Sequence, residues 1–321
     1  MACLYPFAAF DTGIKSETGK KVFKYERPGT RYIFLNSVKR KFKFSPGVVK
    51  FLDGNPVLMD PIPIPCGECY ACLMDKAAEM ATRAVLESQY HKHSYFVTLT
   101  YRDSCLPISK FTGEAILIKE EFDLWVKRLR SVIDCRVLGC GEYGDVTGRP
   151  HFHAIIYTDD DLQLSQVGVN VFKSKVLEYT WRFGISECSI ADAGCMSYVS
   201  GYVLKKCKQI ADDDPHQPFR YLPRRPGLGM QYLEDHDVLA DGKVYGDFGK
   251  DCKTRKVPGA FLRKLEQDDR FLQYKDFTKS NGLRFNSIVE NFYGTTDVEL
   301  LAGMRSQVFG DRIEQARKEK I

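Results

Sequence analysis

Residues 136–157 read RVLGCGEYGDVTGRPHFHAIIY, and this stretch decides the fold. Arg136 to Glu142 and His151 to Tyr157 have strand composition. Between them, Tyr143 to Pro150 holds Gly144, Asp145, Gly148 and Pro150, which is turn chemistry. The expectation is strand, turn, strand. Upstream, Tyr95 to Tyr101 (YFVTLTY) is β-branched and aromatic, a buried strand. From Lys119 to Ile133, residues Phe122, Trp125, Val126, Leu129, Val132 and Ile133 share one helical face, with Lys127, Arg128 and Arg130 largely off it. Downstream, Phe172 to Trp181 reads as a helix stopped near Gly184, Ile185 to Ala191 as a fourth strand and Cys195 to Lys208 as a helix. The order β-α-β-β-α-β predicts an α+β, ferredoxin-like (RRM-like) arrangement. It is an antiparallel sheet with both connecting helices on one face and the first and third strands in the middle. The strand carrying His151 and His153 is then central.

The rest of the chain sets bounds. At 321 residues it is long enough to bury a core without covalent staples. With 44% hydrophobic and 28% charged residues it is neither disordered nor fibrous. No apolar run approaches the ~18 residues of a membrane span, and the start lacks a secretory signal, so a soluble, cytosolic protein without membrane contact is expected. Eleven cysteines in a chain of this size do not read as a disulfide framework. The net charge of +5 is unevenly spread. Residues 14–50 carry eleven Lys or Arg against two Glu, leaving −4 over the remainder. Phe23, Tyr25, Tyr32, Phe34, Phe42 and Phe44 interleave those cations, a pattern suited to single-stranded nucleic acid. The alternation Lys41-Phe42-Lys43-Phe44 equally suits a strand with Phe in a core and Lys in water. Residues 51–65, with four prolines, read as an extended connector, and Leu73 to about Tyr90 as a helix.

His151 and His153 are two apart on a strand, so both imidazoles leave the same face. Alone, such a pair is also what two satisfied surface histidines look like. Glu142 ends the partner strand. Paired with either histidine it lies on their face, with Cβ atoms ~5 Å away. Two imidazoles and one carboxylate with positions left over make a catalytic rather than a closed structural site. That set suits Mn²⁺ well and Mg²⁺ less well, and also accepts Zn²⁺.

In the helix from Cys195, Tyr198 and Tyr202 are four apart and Lys205 continues their stripe, while Met196, Val199 and Val203 supply an apolar one. The tyrosines can serve as nucleophiles or as a core stripe. A phenol of pKa ~10 is a poor nucleophile at neutral pH, so it needs a metal beside the electrophile and a cation such as Lys205 to favour the phenolate. Gly201 inside the helix costs about 1 kcal/mol against Ala and can admit a close neighbour. Cys66, Cys69 and Cys72 form C-x2-C-x2-C, one ligand short of a tetrahedral Zn²⁺ site, which Cys3 can complete. Iron–sulfur ligation and three reduced thiols at a helix start are the other readings.

Three segments together resemble a known family. They are Phe96-Val-Thr-Leu-Thr-Tyr101; Gly141-Glu-Tyr-Gly144 with Gly148-Arg-Pro-His-Phe-His-Ala-Ile-Ile156; and Tyr198-Val-Ser-Gly-Tyr-Val-Leu-Lys205. They look like the motifs of HUH-type rolling-circle replication initiators. The cysteine trio and Pro226-Gly-Leu-Gly229 further resemble the initiators of gokushovirus-type microviruses, single-stranded DNA bacteriophages. The likeness runs over roughly residues 1–260. It implies an HUH endonuclease fold at residues 94–208, between a basic N-terminal region (1–93) and a C-terminal accessory region (209–321). His151, His153 and Glu142 match metal ligands for Mg²⁺ or Mn²⁺, Tyr198 and Tyr202 the paired nucleophiles, and Lys205 the lysine after them. The implied activity is nicking of the viral-strand origin through a 5′-phosphotyrosyl link and rejoining of unit-length circles, in the host bacterial cytoplasm. No P-loop of the form GxxxxGK[ST] occurs, so a host helicase is implied together with a host DNA polymerase. Lys41, Lys43, Lys127, Arg128, Arg149 and Lys206 are candidate DNA contacts, and Arg220, Arg224 and Arg225 can touch phosphate or lie in a surface loop. The competing readings are a non-catalytic, zinc-containing DNA-binding protein and an HUH nuclease of plasmid or transposon origin.

Overall fold

The computed structural model describes residues 7–17, 21–26, 49–52, 55–58, 62–67, 70–144, 146–206 and 216–278. The chain divides into two units, residues 1–75 with 276–321, and residues 76–275. In the first, β1 (Phe7–Lys15) pairs antiparallel with β2 (Lys21–Glu26) and with β5 (Ile62–Ile64), and β3 (Val49–Leu52) pairs with β4 (Asn55–Leu58). The expected connector over 51–65 therefore contains paired strands. Pro56 and Pro63 are compatible with this because β4 and β5 each pair on one side only, where a missing N–H breaks no second ladder. Lys41 and Lys43 lie outside the described residues.

Helix α1 (Tyr70–Ser88) leads into the second unit, whose centre is an antiparallel seven-stranded sheet. Its strands in chain order are β6 (His93–Tyr101), β7 (Cys135–Tyr143), β8 (Pro150–Thr158), β9 (Leu164–Gly168), β10 (Val171–Ser174), β11 (Gly184–Ile190) and β12 (Phe219–Tyr221). Across the sheet they run β12-β7-β8-β6-β11-β10-β9. The four expected strands thus lie in the order second, third, first, fourth, with the first and third inside. Three strands extend this sheet at its edges. One correction concerns residues 172–181, read as a single helix. Val171–Ser174 is a strand, and only Lys175–Thr180 is helical, as α3. Asn170 turns the β9–β10 hairpin at φ 53°, a backbone state that Asn tolerates. The Ser174 hydroxyl accepts from Leu177 N to start α3.

The two sheet faces differ in what covers them. On one, Tyr95, Val97, Leu99, Tyr101, Phe152, Ala154 and Ile156 pack under α2 (Lys119–Arg130) and α3, against Phe122, Trp125, Leu129 and Leu177. Both connecting helices are on this face, as the strand order requires. A Cβ at Gly139 would collide with the Phe122 ring, so glycine there lets α2 sit close. Trp125 is fully buried, and its indole N–H donates to Thr180 Oγ1 at 3.3 Å.

The opposite face carries Leu138, Cys140, Ile155 and Tyr157, covered by Met80, Ala84 and Val85 of α1 and by Met196 and Val199 of α4 (Ala193–Lys206). The segment after β12 adds α5 (Tyr232–Asp235), α6 (Val238–Asp241), the β13 (Lys243–Tyr245) and β14 (Thr254–Lys256) pair, and α7 (Gly259–Lys264). The Pro226-Gly-Leu-Gly229 motif is clamped to α1. Arg83 Nε donates to Leu228 O at 2.9 Å, and Arg136 Nη2 to Pro226 O at 2.8 Å. The buried Glu87 carboxylate accepts from Gly229 N at 2.5 Å and pairs with Arg136. Gly229 has φ 69°, and a Cβ there would lie 2.7 Å from Arg83 O, so only glycine fits. The motif has a structural task in this unit.

Candidate active site

The β7–β8 hairpin is closed by a turn in which Gly144 N donates to Arg149 O at 3.0 Å and Gly148, at φ 63°, donates to Gly144 O at 2.9 Å. This turn sets the register Glu142 opposite His151 and Cys140 opposite His153. Strand alternation sends Phe152 under α2 and both imidazoles to the α1/α4 face. Glu142 Oε1 lies 2.9 Å from His151 Nε2 and 3.1 Å from His153 Nε2. The three expected ligands therefore converge, with one donor atom from each inside a 4.8 Å span.

Two features fit this group to a divalent cation. Glu142 is 1% exposed, and its Oε2 is buried with no hydrogen-bond partner. An unsatisfied buried carboxylate oxygen is costly, and a cation removes that cost. Each ring is also held at its far nitrogen. His151 Nδ1 lies 3.0 Å from Arg149 O, which can only accept, so Nδ1 carries a proton there and the neutral ring turns its Nε2 lone pair toward Glu142. His153 Nδ1 lies 3.1 Å from Thr98 Oγ1. Burial pushes the Glu142 carboxyl up, but contacts with His151 and His153 outweigh it and hold the group below the usual carboxylate range. The site therefore presents a full negative charge between two imidazoles.

Helix α4 brings Tyr198 to this place. It starts shortly after strand β11, where Asp192 Oδ1 accepts from Cys195 N at 2.7 Å as an N-cap. Met196 and Val199 are buried against the sheet, so Tyr198 is carried on a different stripe and is 44% exposed. Its ring stands edge-on to His153, with centroids 5.3 Å apart and planes at 82°. It is also edge-on to Phe96, at 6.1 Å. The Phe96 ring in turn stacks on His153 at 5.3 Å and 16°. Tyr202, Lys205 and Lys206 follow in α4, and their side chains lie outside the described residues. Gly201 faces Ala77 of α1, with room for a methyl group, so it is not needed for close helix approach.

The remaining candidates scatter. Lys127 and Arg128 are on α2, across the sheet from the imidazoles. Arg128 Nε donates to Thr180 O at 2.8 Å, and its guanidinium lies over Phe183, so it ties α2 to α3. Arg149 donates to Tyr101 O at 2.6 Å and pairs with Asp103 at 2.7 Å, bracing the hairpin turn. Arg220, exposed on β12, stands opposite Cys140, which stands opposite His153, so the register puts Arg220 two strands from the site on the same face. Cys66 Sγ and Cys72 Sγ are 4.0 Å apart, while Cys3 and Cys69 lie outside the described residues. Thr98 and Phe96 belong to a stretch read only as a buried strand. Their parity, opposite to Tyr95, Val97 and Leu99, was the available signal.

Residues 94–207, which hold the whole triad and Tyr198, match the family described as replication-associated protein ORF2. An α+β sheet bearing a His–Glu–His group beside an exposed tyrosine is thus the centre of a replication-associated protein domain. Over more of its length the chain is similar to three phage proteins. Replication-associated protein ORF2 of Spiroplasma virus 4 is 29% identical over 258 residues, 74% of this chain and 79% of the relative. Replication-associated protein VP4 of Bdellovibrio phage phiMH2K is 30% identical over 197 residues, 56% and 61% of the two chains. Replication-associated protein ORF4 of Chlamydia phage 1 is 31% identical over 245 residues, 68% and 58% of the two chains. The chain belongs to this replication-associated family, in the gokushovirus-type branch that its motifs resemble. No solved structure matches it. Among the described residues no helix is long and apolar enough to cross a membrane.

Proposed function

We propose that the chain is the replication initiator endonuclease of a single-stranded DNA phage, acting by HUH chemistry on a ferredoxin-like palm at residues 94–208. It nicks the viral-strand origin and later joins the ends of a unit-length circle. The observation that carries this reading is the placement of the Tyr198 ring 5.3 Å from His153, beside Glu142 and His151. The Tyr198 oxygen attacks a phosphodiester phosphorus, an O–P bond forms and the P–O3′ bond breaks. The phenolic proton passes to solvent, and the departing 3′-oxygen takes up a proton as a 3′-OH. A Mg²⁺ or Mn²⁺ ion held by Glu142, His151 and His153 would supply Lewis-acid polarisation of the phosphate. The phosphotyrosyl link retains the reactivity of the original bond, so rejoining needs no nucleotide cofactor. Tyr202, one helical turn on, is the second nucleophile for cleavage after one lap, and Lys205 favours the phenolate.

The substrate is single-stranded origin DNA, the compartment the host bacterial cytoplasm, and host helicase and polymerase supply unwinding and synthesis. Cys66 and Cys72, with sulfurs 4.0 Å apart, support a structural Zn²⁺ completed by Cys69 and Cys3. Two sulfurs each ~2.3 Å from one tetrahedral ion stand at about that separation. The nuclease reading is tested with a labelled single-stranded origin oligonucleotide on a denaturing gel. Wild type with Mn²⁺ forms a covalent protein–DNA adduct, and the Tyr198→Phe/Tyr202→Phe double variant forms none. An adduct that persists in the double variant overturns the nucleophile assignment.

A further inference from the structure

The two imidazoles of the triad are held differently. His151 Nδ1 faces a backbone carbonyl, which is a fixed acceptor. His153 Nδ1 faces the Thr98 hydroxyl at 3.1 Å, and a hydroxyl can accept or donate. Thr98 stands directly opposite His153 in the β6–β8 register, so the strand pairing itself delivers this contact. Two residues earlier on the same face, Phe96 stacks on the His153 ring and fixes its plane. The ring is thus oriented by one β6 side chain and hydrogen-bonded by another. His153 is 8% exposed, so water competes poorly for the contact.

We propose that Thr98 is a positioning residue for the metal site. Its hydroxyl accepts the Nδ1–H of His153 and so holds the ring in the tautomer whose Nε2 lone pair is directed at the cation position beside Glu142. The inference rests on the reading of Glu142, His151 and His153 as ligands. Hydrogen-bond partners of ligand imidazoles typically contribute about 10–100-fold in metal affinity.

The test is Mn²⁺ binding to the full chain, followed by the electron paramagnetic resonance signal of unbound Mn²⁺. Thr98→Val keeps the shape and removes the hydroxyl, and it weakens Mn²⁺ binding by at least about tenfold. Thr98→Ser restores binding to within about threefold, which a purely structural role of the threonine methyl would not allow. Wild type that binds Mn²⁺ with Thr98→Val binding equally well overturns the positioning role and leaves the ligand assignment standing. Wild type that fails to bind Mn²⁺ overturns the ligand assignment, and the positioning role with it. A second readout on wild type is independent of variant folding. Long-range nitrogen–proton NMR of the metal-free protein shows His153 protonated at Nδ1 and bare at Nε2, and the opposite tautomer refutes the proposal.

Discussion

Replacing Glu142 by Gln separates metal binding from folding. The carboxamide has the volume of the carboxylate, and its N–H₂ can donate to a neighbouring imidazole nitrogen. The metal-free variant should therefore melt within a few degrees of wild type. The cation is another matter. A ligand present at about 100 times its Kd stabilises the native state by about 2.7 kcal/mol. The unit that holds the site spans residues 76–275. For a unit of roughly that size, melting shifts by ~2–4 °C per kcal/mol, so Mn²⁺ at that concentration raises the wild-type Tm by about 5–10 °C. Removing the charged ligand, whose two oxygens are buried among the imidazoles, weakens binding at least as much as the roughly 10–100-fold loss of a hydrogen-bond partner. At a hundredfold loss the same Mn²⁺ concentration contributes about 0.4 kcal/mol, a shift of only ~1–2 °C. The assay is scanning calorimetry of both proteins with and without Mn²⁺. An unchanged wild-type Tm on adding Mn²⁺, or an equal shift in Glu142→Gln, refutes the reasoning.

Three further outcomes follow from the geometry. Burial pushes the Glu87 carboxyl up, but its bonds to His91, Arg136 and Gly229 hold it below its ordinary value. Its contribution is therefore present above the unfolded carboxyl pKa of ~4.3 and is lost as pH falls through the lower folded value. Urea midpoints should drop on acidification through that window, and Glu87→Gln, which costs ~1.5–3 kcal/mol at neutral pH, should flatten the acid limb. Gly201→Ala adds a methyl 4.0 Å from Ala77 Cβ, an ordinary contact. It should stabilise α4 by ~0.5–1 kcal/mol in chemical denaturation. Arg220→Ala should weaken single-stranded oligonucleotide binding and lower the salt slope by about one, while leaving Mn²⁺ affinity unchanged.

Much of the site was legible because strand alternation is a local rule. The two-residue spacing of His151 and His153 put both rings on one face, and the short turn confined Glu142 to a position beside them. Helical spacing likewise separated Tyr198 from Met196 and Val199. What stayed hidden depends on long-range pairing. Nothing near Thr98 announces that it stands opposite His153, since that register joins residues 55 apart in the chain. The short strand at Phe219–Tyr221 and the β9–β10 hairpin were missed because runs of three to five residues carry little periodicity. Arg128 looked like a solvated cation by its place off the apolar stripe, yet that flank of α2 meets the Thr180 carbonyl of α3. The acidic and basic groups that clamp Pro226–Gly229 to α1 are scattered from Arg83 to Arg136, so no motif joins them.

The most direct test of the account is mass spectrometry of the full chain after Mn²⁺-dependent cleavage of a single-stranded origin oligonucleotide. The account predicts nucleotide attached through a 5′-phosphate to Tyr198 or Tyr202. A nucleotide on any other residue, or cleaved DNA with unmodified protein throughout the time course, contradicts it.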